Sequence, residues 1–158
     1  VLDVGCGDGE ICRRLAKLGV SGVGIDPRLA KRPDVAGFDF IAGNFPNASP
    51  EGEPFDAITM LAVLEHVPAG QKPIWVEACH ARLVKGGVVV LTVPSPRVDS
   101  ILAVLRFFRL VDGMALEEHH GFDPNEVGPL FEAAGFQRVI HKTFQFGLNN
   151  LFVFSKTT

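Results

Sequence analysis

The chain is poor in the residues that build metal centres and disulfide frameworks. Its 158 residues include three cysteines, Cys6, Cys12 and Cys79. They show no C-x-x-C spacing, which argues against a disulfide scaffold and against a zinc site. No apolar run approaches the roughly 20 residues that cross a bilayer. Positive charge is not in excess: 15 Lys and Arg stand against 18 Asp and Glu, a net charge of −3. General attraction to nucleic acid is therefore not built in, and Arg13, Arg14 and Lys17 read as the solvated face of a helix. An initiator Met is also lacking, because the chain opens at Val1 inside an apolar strand. The expectation is a piece of a longer protein, for which a leader peptide stays an open question. What is present is 47% hydrophobic and 21% charged residues, a balance that fits one α/β domain with a full core. Unpaired thiols without a framework point to a reducing cytoplasm.

The organising stretch is Val1-Leu2-Asp3-Val4-Gly5-Cys6-Gly7-Asp8-Gly9. An apolar strand that ends in alternating glycines and runs into a helix offers bare backbone N–H groups and a positive helix end to a ligand above the strand tip. An ordinary tight strand-to-helix turn is the plainer alternative, and three glycines in five residues favour the ligand site. The spacing selects among ligands. A dinucleotide fingerprint counted from Gly5 requires glycine at position 10, where the chain has Glu10, a carboxylate that would face a pyrophosphate.

Beyond the turn, Ile11, Cys12, Leu15 and Leu18 recur at helical spacing and Gly19 is placed to cap the helix. Gly22-Val23-Gly24-Ile25-Asp26 reads as a second strand, which brings Asp26 beside the glycine turn. There its carboxylate can grip both hydroxyls of a ribose, or simply cap the next turn. Strands are expected at Phe38–Ala42, Phe55–Leu61 and Val88–Val93, with a polar loop at Pro46–Pro54 and a helix at Gln71–Val84 closed by Lys85-Gly86-Gly87. The β-branched run 88–93 predicts burial on both faces. Asp123-Pro124-Asn125-Glu126 has the form of a capping box ahead of a helix that buries Val127, Leu130, Phe131 and Ala134. Phe136–Lys142 and Leu148–Ser155 are expected to pair as an antiparallel hairpin at the sheet edge.

The pattern V-L-D-V-G-C-G-D-G resembles the first motif of the class I S-adenosylmethionine-dependent methyltransferases, and motifs of that resemblance run to about Val93, with weaker likeness from there to the end. That resemblance implies a Rossmann-like α/β fold: a doubly wound, mostly parallel seven-stranded sheet with an antiparallel edge strand. It further implies one methyltransferase-like domain over 1–158 with a helical insertion at about 95–122. The implied cofactor is S-adenosyl-L-methionine. Asp3, Gly5, Cys6, Gly7 and Gly9 would lie at its methionine part, Asp26 on the ribose, and Pro27 and Phe45 beside the adenine. Asn44 would stand in for the more frequent aspartate at the adenine amino group, with Met60 and Leu61 at the fourth strand tip. Members usually carry a helical lid ahead of the first strand, a segment expected to be missing from the sequence that opens at Val1. The Asn/Asp-Pro-Pro-aromatic tetrapeptide of enzymes that methylate base or glutamine amines is replaced by Leu61-Ala62-Val63-Leu64, which turns the expectation away from nucleic acid.

The stretch Asp99–Phe122 is the least generic. Ile101 to Val111 is apolar around most of a helical circumference and needs partners on two sides. It is either an insertion packed on the sheet edge, a lid over an apolar acceptor, or a homodimer surface. Glu117-Glu118-His119-His120 does not have the spacing of a helical ligand pair, so no metal is expected. By resemblance, His120 ahead of Gly121-Phe122 is a candidate base at the acceptor, with His66 of the Glu65-His66 pair a second; either is otherwise a structural histidine. The expected reaction is O- or C-methylation of a small, apolar organic acceptor such as a quinone precursor or fatty acid. A binding module without turnover and, against Glu10, a nicotinamide-dependent oxidoreductase are the alternatives.

Overall fold

A computed structural model describes residues 1–95 and 123–158. The chain forms β1 (Leu2–Val4), α1 (Glu10–Ala16), β2 (Gly22–Asp26), β3 (Phe38–Ala42), β4 (Phe55–Leu61), α2 (Lys72–Arg82), β5 (Leu83–Pro94), α3 (Val127–Ala133), β6 (Phe136–Phe144) and β7 (Asn149–Lys156). A single seven-stranded sheet has the order β3-β2-β1-β4-β5-β7-β6. Strands β1 to β5 are parallel, while β7 runs antiparallel to both β5 and β6. The antiparallel strand thus sits inside the edge hairpin, and β6 takes the outermost place. From β1 the chain winds one way through β2 and β3 and then returns to β4 on the other side of β1. That reversal puts the topological switch point between β1 and β4, where open α/β sheets bind ligands at the strands' carboxyl ends.

Two apolar clusters follow from strand alternation. On one face Leu2, Val4, Ile25, Ile58, Met60, Val89, Leu91, Phe152 and Phe154 pack with Val76 and Cys79 of α2 and with Val127 and Phe131 of α3. Phe131 of α3 stacks on Phe154 of β7 with ring centroids 4.4 Å apart. On the other face Cys6, Cys12, Val35, Phe38 and Phe40 form a smaller cluster under α1. Gly24 belongs to that face, where a Cβ would come within 2.9 Å of the Cys6 sulfur and the Phe40 ring; the bare position lets α1 and β3 close over β2.

Several expectations are adjusted. Helix α1 ends at Ala16, and the amides of Gly19 and Val20 donate to Ala16 and Leu15 carbonyls, a Schellman closure that leaves Leu18 pointing outward, 77% exposed. Lys85-Gly86-Gly87 does not close α2. The helix stops at Arg82 and these residues lie within β5, where Phe55 pairs with Leu83 but Ala57 with Val88; the surplus residues bulge outward, with Gly86 at φ 76. Burial of β5 on both faces is also corrected: Val89, Leu91 and Val93 are buried and Val88, Val90 and Thr92 only half-buried. Asp123 caps α3 through a 3-10 turn, its Oδ1 accepting from the Asn125 amide at 2.9 Å. The apolar stretch 99–111, and with it the lid and dimer readings, lies outside the described residues.

Candidate functional site

At the switch point the carboxyl ends of β1, β2, β3 and β4 open into a cleft of about 1020 Å³. Its floor is Val4 and Gly5 from β1 and Leu61, Ala62 and Val63 from β4; one wall is Asp26, Pro27, Asn44 and Phe45, and the other is His66, Gln71 and Trp75. The floor is backbone because Gly5 lacks a side chain. With φ 76, a Cβ there would lie 2.4 Å from Val63 Cγ2, so the first and fourth strand tips meet only over a glycine.

Asp26 is the charged centre of the cleft. Its carboxylate is 2% exposed, and it is held by two backbone donors: the Gly7 N–H to Oδ2 at 3.0 Å and the Arg28 N–H to Oδ1 at 2.7 Å. Each donor takes one lone pair, so each oxygen keeps acceptor capacity toward the cleft. The Arg28 guanidinium is 3.8 Å away on a side chain 87% exposed, a screened contact of little weight.

The other expected residues divide into two layers. Gly5, Asp26, Pro27, Asn44, Phe45, Leu61 and His66 line the cleft. Asp3, Cys6, Gly7, Gly9 and Met60 lie behind or beneath it. Asp3 is buried on the α1 side, accepting from the Thr59 hydroxyl at 2.5 Å and from the Cys12 thiol at 3.5 Å. Burial, only partly opposed by those bonds, raises its carboxyl above the ordinary aspartate range. Gly7 acts through its N–H on Asp26, and Gly9 gives Phe40 room, since a Cβ would touch that ring at 3.0 Å. Met60 is fully buried in the main core. Burial and nearby Asp3 push the Cys6 and Cys12 thiols up to about 12, so neither supplies a thiolate. Glu10 is turned to solvent, pairing with Arg13 at 3.2 Å and Arg14 at 2.8 Å. His120 lies outside the described residues.

Sequence reading missed Val63, Gln71 and Trp75. Trp75 is the one tryptophan of the chain, and its ring meets that of Phe45 edge-on at 5.2 Å. The signal was available, because a helix that follows a parallel strand begins at the sheet's carboxyl edge and its first turn borders the ligand site. Among the described residues no group of His, Cys, Asp or Glu could hold a metal ion, and no helix is long and apolar enough to cross a membrane.

This sheet order, with an acid closing β2 over a glycine turn, defines an enzyme class that comparison with known proteins makes specific. A family model described as a methyltransferase domain matches residues 1–142. The chain belongs to that family, within the class I S-adenosylmethionine-dependent methyltransferases. A ubiquinone biosynthesis O-methyltransferase of Psychrobacter arcticus is 29% identical over 154 residues, 87% of this chain and 59% of that protein. Another, from a Chelativorans species, is 33% identical over 97 residues, 56% of this chain and 38% of its own length. The chain thus spans less than two thirds of these relatives. Among solved structures, an S-adenosylmethionine-dependent methyltransferase of Methanosarcina mazei superposes with TM-score 0.73 at 22% identity, covering 99% of this chain and 91% of that one. Magnesium protoporphyrin IX methyltransferase from Synechocystis, with bound S-adenosylhomocysteine, gives 0.69 at 16% identity, covering 99% and 73%.

Proposed function

We propose that the chain is the core of an S-adenosylmethionine-dependent O-methyltransferase acting on a small organic acceptor. The carrying observation is the Asp26 carboxylate, pinned to the Gly7 amide at 3.0 Å at the rim of a cleft floored by Gly5. The residues fit the nucleoside. A buried carboxylate with spare acceptor capacity suits a ribose diol, and the Asn44 side-chain carbonyl suits an adenine amino group. A bare floor at Gly5 admits the methionine chain, and the described floor residues Val4, Gly5, Leu61, Ala62 and Val63 carry no cation to oppose a sulfonium. S-adenosylmethionine supplies, when bound, a methyl group already activated on that sulfonium.

The chain's own residues then bind, align and take a proton. Asp26 and Asn44 fix the nucleoside from one wall, where the Phe45 ring meets Trp75 of the other wall edge-on at 5.2 Å; alignment of this kind supplies most of the acceleration. His66, on the opposite wall, is the described group suited to accept a hydroxyl proton on a ring nitrogen, and His120 stays a second candidate. Preference for oxygen, and for an apolar quinone-precursor acceptor, draws on the relatives' names and on the apolar Val67, Pro68, Ile74 and Trp75 in the cleft lining. Three free, buried cysteines support a cytoplasmic setting, and a net charge of −3 supports a small acceptor over nucleic acid. Calorimetric titration with S-adenosylmethionine and with NAD, followed by methyl release onto a panel of catechols, fatty acids and amines, tests the reading. Binding of the methyl donor alone and turnover on catechols is the expected result; preference for NAD refutes it.

A further inference from the structure

The junction between β4 and the cleft carries backbone strain that cofactor binding leaves unexplained. Ala62 has φ 56, the left-handed region where a residue with a Cβ stays only when its surroundings hold it. Gln145 and Phe146, the other such residues among those described, sit in the β6–β7 turn, whereas Ala62 lines the cleft. What holds it belongs to one residue of the next strand. The Ala62 N–H is shared between the Thr92 carbonyl oxygen at 3.2 Å and the Thr92 hydroxyl oxygen at 3.1 Å, and Thr92 is the register partner of Leu61.

Two consequences issue from that turn. Val63 is sent back across β1 onto Gly5, close enough to exclude a Cβ there. The 3-10 turn Leu64–His66 then hangs from Val63, whose carbonyl accepts the His66 N–H at 3.0 Å. The direction taken at Ala62 therefore sets both the floor under the cofactor and the height of His66 on the wall.

We propose that Thr92 is a positioning residue of the methyl-transfer site: its hydroxyl, as second acceptor for the Ala62 amide, keeps the β4 tip in the left-handed turn that seats Val63 on Gly5. This rests on the cofactor reading above. Without the hydroxyl, Ala62 relaxes toward extended backbone, and Val63 lifts from the floor. A threonine that merely packs on the half-buried face of β5 would be replaced by valine without effect on binding.

Calorimetry with S-adenosylmethionine on four proteins decides between them, with thermal midpoints taken alongside. Thr92→Val, which keeps the shape and removes the acceptor, weakens binding about five- to tenfold, the scale of one left-handed alanine. Thr92→Ser keeps the hydroxyl and binds as wild type. Ala62→Gly adopts the turn without help, so Thr92→Val in that background costs no affinity. This last comparison also stays readable where Thr92→Val alone folds poorly. Wild-type affinity in Thr92→Val, or a loss that persists in the Ala62→Gly background, overturns the inference alone. A wild-type chain that ignores the nucleoside overturns the cofactor reading and this inference with it.

Discussion

The Gly7 amide donates to the Asp26 carboxylate at 3.0 Å across 19 residues of chain, so the glycine turn after β1 and the acid ending β2 form one unit. Removing that acid strikes binding and structure together. Asp26→Ala lowers affinity for S-adenosylmethionine about 10- to 100-fold, as expected for hydrogen bonds to a charged group. Leaving two backbone donors without a partner also costs about 1–3 kcal/mol of stability. Calorimetry and urea unfolding read the two effects, and unchanged affinity would remove Asp26 from the ribose.

Gly5 and Gly7 both have positive φ, at 76 and 53, yet alanine has different consequences at each. Gly7→Ala meets open space and costs about 1 kcal/mol of backbone strain. Gly5→Ala adds a collision at 2.4 Å with the stiff Val63 side chain, for a further loss of about 1–3 kcal/mol. Equal denaturant midpoints would show that Val63 yields freely.

His66→Gln separates chemistry from binding. Turnover falls about 100-fold, the lower range for losing a general base, while affinity for the methyl donor holds. A variant with full kcat ends the role proposed for His66.

Asp3 makes stability depend on acid pH with an unusual sign. Its carboxyl is raised by burial, so the folded state binds the proton more tightly than the unfolded chain, whose ordinary value is 3.8. Its ionisation therefore favours unfolding: the Asp3 contribution is most favourable below that value and declines as pH rises through the folded one. Asp3→Asn removes this dependence, so the thermal midpoint of the variant, relative to wild type, rises as pH climbs from 3.8 through the raised folded value. A constant difference would show that Asp3 titrates normally.

Cys6, Cys12 and Cys79 are free and buried, and burial pushes each thiol up to about 12. Iodoacetamide at neutral pH should leave all three unlabelled until denaturant is added. Mass spectrometry counts the adducts, and labelling of Cys6 in the native chain would mean that the glycine turn opens.

Much of this architecture was legible because local rules suffice for it. Strands β2, β3 and β4 lie where apolar runs bounded by glycine and polar loops put them, and the period of two that separates Leu2 and Val4 from Asp3 also separates the two apolar clusters. The comparisons place the chain in the family that its first nine residues resemble. Less legible were features set by partners distant in sequence. The bulge at Lys85–Gly87 exists because β5 must keep register with β4 past Phe55. The half-exposed second face of β5 reflects what packs there, which a β-branched run does not encode. Asp3 and Asp26 are both strand acids, each 2% exposed, yet one lies beneath the sheet and the other at its rim.

Sequence alone determined the strand–glycine–helix opening, the acid that closes β2 and the absence of a dinucleotide glycine at position 10, because backbone freedom and side-chain chemistry act at the residue itself. Only the tertiary structure decided that Val63 rests on Gly5, that Trp75 walls the cleft and that Thr92 holds Ala62. Those contacts join strand tips and helix starts that become neighbours only when the parallel sheet assembles, and sheet pairing is a property of the whole chain.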